Sequence, residues 1–431
     1  MSIHTKIVAK DGGINDSELK EGIRTAIEKT GKKLNRILIL PPDHTRLNSY
    51  AGRMTEMIWE MYHDFCKIDI MPALGTHAPM TEQQLRMMFG NQIPLDAFLV
   101  HNWRNDTISL GTISTEKIES LSCGKLHFDV KVQVNKILFE NNYDLILSVG
   151  QIVPHEVVGL SNYTKNIMVG IGGADIINKS HFLGAVSNME SIMGRADSPV
   201  RELYNYAAET YLSGLPIVYM ETVMVRDEQD SGKMLIKGFF AGTGNDLYQE
   251  AANLSIQENI ILLDKPLHKV IVYLDPKEFG STWLGNKAIY RTRMAIADDG
   301  ELIVLAPGLH QFGEDQTNDE LIRKYGYHGT PKTIHAVEQN EDLQHNLGAA
   351  AHLIHGSSEG RFRIIYCPGD KISREEIESV GFEYGNLQAI MEKYDVEHLK
   401  DGFNQFNGDT IFFISNPALG LWSLKSNFTK N

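Results

Sequence analysis

Cysteine is scarce in this chain. There are three in 431 residues, Cys66, Cys123 and Cys367, far apart and with no C-x-x-C pair. A disulfide framework, a zinc ribbon and a thioredoxin-like motif are thereby disfavoured, and a reducing, cytoplasmic setting fits. No apolar run approaches the roughly 18 residues that a membrane span needs. The opening Met1-Ser2-Ile3-His4-Thr5-Lys6 leads into no apolar stretch of signal-peptide type. Positive charge is in deficit: 41 Lys and Arg against 55 Asp and Glu give a formal net charge of -14. Such a field repels nucleic acid and anionic membranes, so neither is expected as a partner. It does not exclude an anionic small substrate, since a few local cations can dominate a closed pocket. There is no H-E-x-x-H metal motif, no internal repeat and no low-complexity tract.

What is present is a globular composition, 42% hydrophobic and 22% charged, in a chain too long for one ordinary core. The pattern is apolar strand, polar turn, amphipathic helix, repeated. Arg36-Ile37-Leu38-Ile39-Leu40 reads as a buried strand ending at Pro41-Pro42. Met54, Met57, Ile58, Met61 and Phe65 then recur at helical spacing. Ile68-Asp69-Ile70-Met71 and Leu145-Ile146-Leu147-Ser148-Val149 read as further strands, and Ile167-Met168-Val169 as a fourth. Thr81-x-x-Gln84 and Ser373-x-x-Glu376 have the form of capping boxes. A second series begins near residue 265, with strands at Val270-Ile271-Val272-Tyr273-Leu274, Ile303-Val304-Leu305, Arg363-Ile364-Ile365-Tyr366 and Thr410-Ile411-Phe412-Phe413-Ile414. This alternation predicts an α/β fold of two domains, each a mostly parallel sheet flanked by helices, with the active site in the cleft between them. The expected domains are 1–260, carrying cofactor-attachment and catalytic residues, and 261–431, completing the substrate pocket.

In open α/β sheets ligands bind beyond the carboxyl ends of the strands. Asp43, Arg46, His77 and His155 fall just after predicted strands, and Lys165 and His181 flank the fourth. Singly, each has an ordinary explanation: Asp43 can cap a helix, His77 can close a turn, His181 can start a helix, and Lys165 can be a solvated surface lysine. Their shared placement is the informative feature. Gly170-x-Gly172-Gly173 lacks the G-x-G-x-x-G spacing of a dinucleotide loop, although it can still form a nest or helix amino terminus for phosphate. A lone His181 cannot fill a metal's coordination sphere, so a metal here needs distant ligands or ligands brought by a cofactor.

At these residues the sequence resembles the nickel-dependent lactate racemase family. The resemblance rests on an ordered set: Pro42-Asp43-His44-Thr45-Arg46, Gly75-Thr76-His77, Pro154-His155-Glu156-Val157-Val158-Gly159, Lys165, His181 and Lys287-Ala288-Ile289. It implies a racemase or epimerase that inverts the C2 centre of a 2-hydroxycarboxylic acid by reversible hydride transfer. The implied cofactor is nickel held by a pyridinium-3-thioamide-5-thiocarboxylic acid mononucleotide, attached covalently to Lys165. On the same resemblance His181 ligates nickel, and His77 and His155 are general bases, one per enantiomer. Arg46 and Lys287 bind substrate, and Asp43 and Thr45 support cofactor or base. Implied partners are a small anionic 2-hydroxyacid and cofactor-biosynthesis proteins, and oligomerisation stays open.

Two departures bear on substrate. The family's Ser-Gly-Gly run before the lysine is here Ser161-Asn162-Tyr163-Thr164, and its glutamine three residues before the second lysine is Leu284, beside Trp283 and Asn286. A hydroxyacid larger than lactate, such as a sugar acid epimerised at its second carbon, is expected. His310 is a candidate for the altered pocket, against the plainer reading of an exposed loop histidine. Three rivals stand beside this one. An NAD-dependent 2-hydroxyacid dehydrogenase would use residues 170–173. A zinc-dependent hydrolase would use His77, His155 and His181. A ligand carrier would keep the site without turnover.

Overall fold

The structure is a computed structural model that describes residues 2–227, 233–406 and 408–428. The chain divides into two compact units. The first is Met1–Leu183 with Ile192–Asn259, and the second is Gly184–Ser191 with Ile260–Asn431.

In the first unit a six-stranded sheet runs, edge to edge, Ile3–Val8, Met234–Gly242, Ile217–Arg226, Leu145–Gln151, Arg36–Leu40, Lys67–Ile70. The last four are mutually parallel, and Met234–Gly242 joins them antiparallel. Ile37, Leu38, Ile39 and Leu40 have no exposed surface. Continuous apolar runs suit strands covered on both faces, and each such side chain contributes about 1.5–3 kcal/mol on burial. Helix Asp16–Glu28 and helix Ala51–Tyr62 pack on one face, through Leu19, Ile23, Met54, Met57 and Ile58. Arg36–Leu40 has Lys67–Ile70 on one side and the later Leu145–Gln151 on the other. That reversal of strand order opens a crevice at the carboxyl ends of these strands.

The second unit repeats the theme. Its sheet runs Glu383–Tyr384, Arg363–Pro368, Ile296–Ala306, Leu267–Tyr273, Asp409–Ile414, Gly402–Phe406, parallel except for the last strand. Both capping boxes are formed, at Thr81 with Gln84 and at Ser373 with Glu376. Helix Pro199–Tyr211 is capped by Ser198 and has proline in its first turn.

One expected element is corrected. Ile167-Met168-Val169 is no strand: residues Thr164–Met168 form a short helix, with Ile167, Met168 and Val169 all buried. A short apolar run is equally compatible with a buried helical turn, and here the segment docks on the ends of strands Arg36–Leu40 and Leu145–Gln151 through Asn166. Lys165 therefore lies on a helix, and His181 on the next one, Ala174–Val186. Two further elements were passed over, although Val130-Lys131-Val132-Gln133-Val134 alternates with the period of a half-buried strand. These are the edge strand Ile3–Val8 and the antiparallel pair Thr107–Ile113 with Val130–Asn135.

Candidate active site

Asp43 follows strand Arg36–Leu40 and caps a 3-10 turn, His44–Ser49. Its Oδ1 accepts from the Thr45 amide at 3.2 Å and the Thr45 hydroxyl at 2.5 Å. Its Oδ2 lies 2.6 Å from His77 Nδ1. Burial raises the Asp43 pKa, but the hydrogen bonds from His77 and Thr45 outweigh it and hold the carboxyl below its usual range. A carboxylate only accepts, so Nδ1 of His77 carries hydrogen, and in the neutral ring the lone pair is on Nε2. The ring is open to solvent, with 57% of its side-chain surface accessible. Its loop is anchored behind it: Gly75, at φ +57°, donates its amide to the Gly170 carbonyl at 2.8 Å. At the loop's far end Gln84 Nε2 approaches His44 Nε2 at 3.0 Å while Gln84 Oε1 accepts from the Thr81 amide.

The crevice at the switch in strand order is occupied by helix Thr164–Met168. Asn166 pins it there, donating to the Leu40 carbonyl at 2.9 Å and to Ser148 Oγ at 3.0 Å, one group from each flanking strand. This places Lys165 at the strands' carboxyl ends. Burial, then the charge of Arg46, draws the Lys165 amine down to about 8. His181, one helix later, gives its Nδ1 to the Ile177 carbonyl at 2.6 Å. A carbonyl only accepts, so Nε2 of a neutral His181 carries the free lone pair. Burial and the neighbouring Lys165 bring its pKa down to about 4. His155, in the short strand Pro154–His155, is buried, and burial together with Lys165, Arg46 and His181 holds it well below its usual value, against the pull of Glu156. Its Nδ1 accepts from the Val157 amide at 3.2 Å, so the neutral ring has its hydrogen on Nε2. The two histidines are thus opposite tautomers. His77 is set to accept at Nε2, and His155 holds a hydrogen there.

Asp43, Arg46, His155, Lys165 and His181 are therefore one electrostatic cluster, joined by Glu156. The donor set fits the implied cofactor. His181 donates its Nδ1–H to a carbonyl behind it and keeps its lone pair on Nε2, as metal-bound histidines usually do. The Lys165 amine is partly neutral near pH 7, as acylation requires. Among the described residues no three His, Cys, Asp or Glu side chains are grouped to hold a metal. A metal at His181 would need ligands from another molecule, and a zinc site built from His77, His155 and His181 has no geometric support. The dinucleotide-loop reading fares no better. The amides of Gly170, Ile171, Gly172 and Gly173 all donate to backbone carbonyls already, leaving none for a pyrophosphate.

In the second unit Lys287 opens the short helix Lys287–Tyr290, its Nζ 5.6 Å from the Phe279 ring centroid. Leu284, inside the preceding turn Thr282–Gly285, is half-buried, and Trp283 stacks on His352 at 4.2 Å. His310 is exposed, with Nδ1 on the Gly308 carbonyl at 3.0 Å, as the plainer reading has it.

Sequence reasoning passed over the groups behind Lys165. Arg201 and Glu221, both fully buried, bind the backbone of residues 160–163. The signal was there for Glu221, an acid inside the apolar run 217–225. Arg201 looked like one more polar position on an amphipathic helix.

Comparison with known proteins bears on the whole arrangement. Residues 14–194 match the model of the lactate racemase N-terminal domain. The lactate racemase of Thermoanaerobacterium thermosaccharolyticum is 28% identical over 183 residues. That stretch is 42% of this chain and 39% of the relative, so the match spans about two fifths of the curated protein's length. Among solved structures, a Thermotoga maritima protein superposes with a TM-score of 0.79 at 21% identity, over 97% of this chain and 100% of that one. The lactate racemase apoprotein of T. thermosaccharolyticum gives 0.70 at 18% identity, over 94% and 92%. At these identities the structural matches establish the shared fold. Among the described residues no helix is long and apolar enough to cross a membrane.

Proposed function

We propose that this chain is a racemase or epimerase acting at C2 of a 2-hydroxycarboxylic acid, a reading supported by the match of residues 14–194 to the lactate racemase N-terminal domain. The observation that carries the reading is the pairing of Lys165, an amine drawn down to about 8, with His181, a neutral imidazole whose Nδ1 is held by Ile177. Lys165 would hold the pincer nucleotide through its amine, and His181 Nε2 would ligate nickel. When bound, that group supplies an electrophilic acceptor for the hydride of a carbon whose hydrogen is too weakly acidic to leave as a proton.

The chain's own residues do the rest. His77 Nε2 takes the substrate hydroxyl's proton in one direction, and Asp43 stabilises the imidazolium that forms. His155 serves the opposite enantiomer, whose hydroxyl is presented from the other side; to take that proton its ring must release the Val157 amide and turn the Nδ1 lone pair to the substrate. Arg46 supports the carboxylate, with Lys287 of the second unit assigned to the same task. The protein remains dependent on cofactor-biosynthesis proteins. Leu284 in place of glutamine removes a polar contact and favours a substrate other than lactate, a sugar acid included.

The test is intact-mass analysis of protein made alongside the cofactor pathway, then a screen of 2-hydroxyacids for loss of optical purity. Lys165→Ala is expected to remove the covalent adduct while leaving the fold intact. The same adduct on both proteins would refute the assignment. His77→Ala and His155→Ala should slow the two directions unequally in initial rates, since the overall equilibrium cannot move. Full retained activity in either removes that residue's role.

A further inference from the structure

The backbone entering Lys165 takes a conformation that L residues avoid. Asn162 has φ +56°, and Tyr163 has φ 55° and ψ -133°, a region glycine tolerates and tyrosine does not. Each such residue must be held by its surroundings, and the surroundings here are specific. Glu221 Oε1 accepts the Tyr163 amide at 3.0 Å, and its Oε2 accepts Asn162 Nδ2 at 2.5 Å. The Asn162 amide reaches Glu221 over Gly150, the residue paired with Glu221 across the sheet, where a Cβ would lie 2.3 Å from Asn162 Nδ2. Arg201 donates to the Leu160 carbonyl at 2.7 Å, the Asn162 carbonyl at 3.1 Å and Thr164 Oγ1 at 2.9 Å. The Tyr163 ring is wedged between Tyr219 and Tyr248, with the Arg201 guanidinium 4.3 Å from the Tyr248 centroid.

Burying an acid and a guanidinium completely is costly, and neither bonds directly to the other in the hydrogen bonds formed here. Both are spent on one five-residue stretch. We propose that Glu221 and Arg201 are positioning residues, a clamp of two buried side chains that forces residues 160–164 into a strained turn and so fixes where the Lys165 amine is presented. The clamp rests on the reading of Lys165 as the attachment point. Its physical consequence does not, because the turn is held whether or not anything is attached. Thr164 ties the clamp to the helix itself, since its hydroxyl donates to Asn205 at 2.8 Å while accepting from Arg201.

The experiment has two readouts. Hydrogen exchange of the peptide covering residues 160–168 in apo protein reports the clamp alone. Covalent loading by intact mass, in cells making the cofactor, reports presentation of the amine. Glu221→Ala is expected to speed exchange of that peptide about tenfold, leaving the strand at 36–40 unchanged, and to cut loading about tenfold. Glu221→Gln, which keeps an acceptor for the Tyr163 amide, should restore both to within about threefold. Tyr163→Gly removes the strain, so adding it to Glu221→Ala should recover loading while exchange stays fast. Wild-type exchange and loading in Glu221→Ala, or no recovery of loading in the folded double variant, overturns the clamp. Should Glu221→Ala not fold, Asn162→Ala should load about fivefold less than Asn162→Gly, because only alanine is strained there; equal loading overturns the clamp. Wild-type protein that never carries an adduct sinks the attachment reading instead, and the exchange arm still decides the clamp.

Discussion

Two side chains at the site carry charge-state consequences that can be measured without knowing the substrate. Asp43 accepts from His77 at 2.6 Å and is 3% exposed. Replacing it with asparagine keeps the shape and removes the negative charge that stabilises a protonated His77. Asp43→Asn is expected to lower kcat by roughly a hundredfold or more, with KM much less affected, in steady-state racemisation of loaded enzyme. Lys165 works the other way. Its folded pKa, about 8, lies below the ordinary 10.5 because burial penalises the ammonium. Between those values the unfolded chain binds more protons than the native one, so stability rises with pH across that window. Below about pH 8 both states are charged and the native state bears the full cost. Lys165→Met should therefore raise the thermal midpoint of apo protein at pH 7, with the gain shrinking as pH climbs from 8 towards 10.5. A gain independent of pH would mean that the amine is not desolvated in the fold.

At the level of elements, the site depends on a helix of five residues that cannot be stable by itself. Helix Thr164–Met168 stays at the strand ends because Asn166 satisfies the Leu40 carbonyl and Ser148 Oγ at once. Asn166→Ala leaves those buried groups short of a donor and should cost about 1–3 kcal/mol in urea unfolding. It should also impair loading of Lys165, the neighbouring residue. The same helix shows where sequence reading stops. Strands such as Arg36–Leu40 were legible because four consecutive apolar residues between turn signals have few other fates. The capping boxes were legible because they are local chemistry. Ile167-Met168-Val169 carried the same apolar signal as a strand, and what distinguishes it is a tertiary contact, Asn166 on Leu40 and Ser148, that the run itself does not encode. Asp43, Arg46, His77, His155, Lys165 and His181 could be collected in advance because they sit in ordered motifs. What the motifs did not contain was the tautomer of His155 and His181, set by Val157 and Ile177 backbone groups that no side-chain pattern encodes. Arg201 was invisible for a related reason: its partners are carbonyls of residues 160–162, forty positions away.

Across the whole molecule, a formal charge of -14 coexists with a site where Arg46 and Lys165 depress each other's neighbours. Global charge keeps polyanions away, while local cations govern a small anion over distances within the Debye length, about 8 Å at physiological salt. The chain path is also not a simple division in two. Residues 184–191 leave the first unit's sequence and belong to the second. Within the second unit Glu190 anchors them, accepting from Arg293 Nε at 3.0 Å and Arg361 Nη1 at 2.6 Å. Arg293 is 2% exposed and also donates to the Ser357 carbonyl at 3.0 Å, so losing Glu190 leaves a buried guanidinium without its counter-charge. Glu190→Gln keeps the size and removes that charge, and should destabilise the second unit by about 1–3 kcal/mol. Hydrogen exchange in the full-length protein locates the effect. Peptides covering residues 290–297 and 359–368 should exchange faster, and strands Arg36–Leu40 and Leu145–Gln151 should not change. Equal acceleration in both units would mean that residues 184–191 hold the whole chain together rather than the second unit alone.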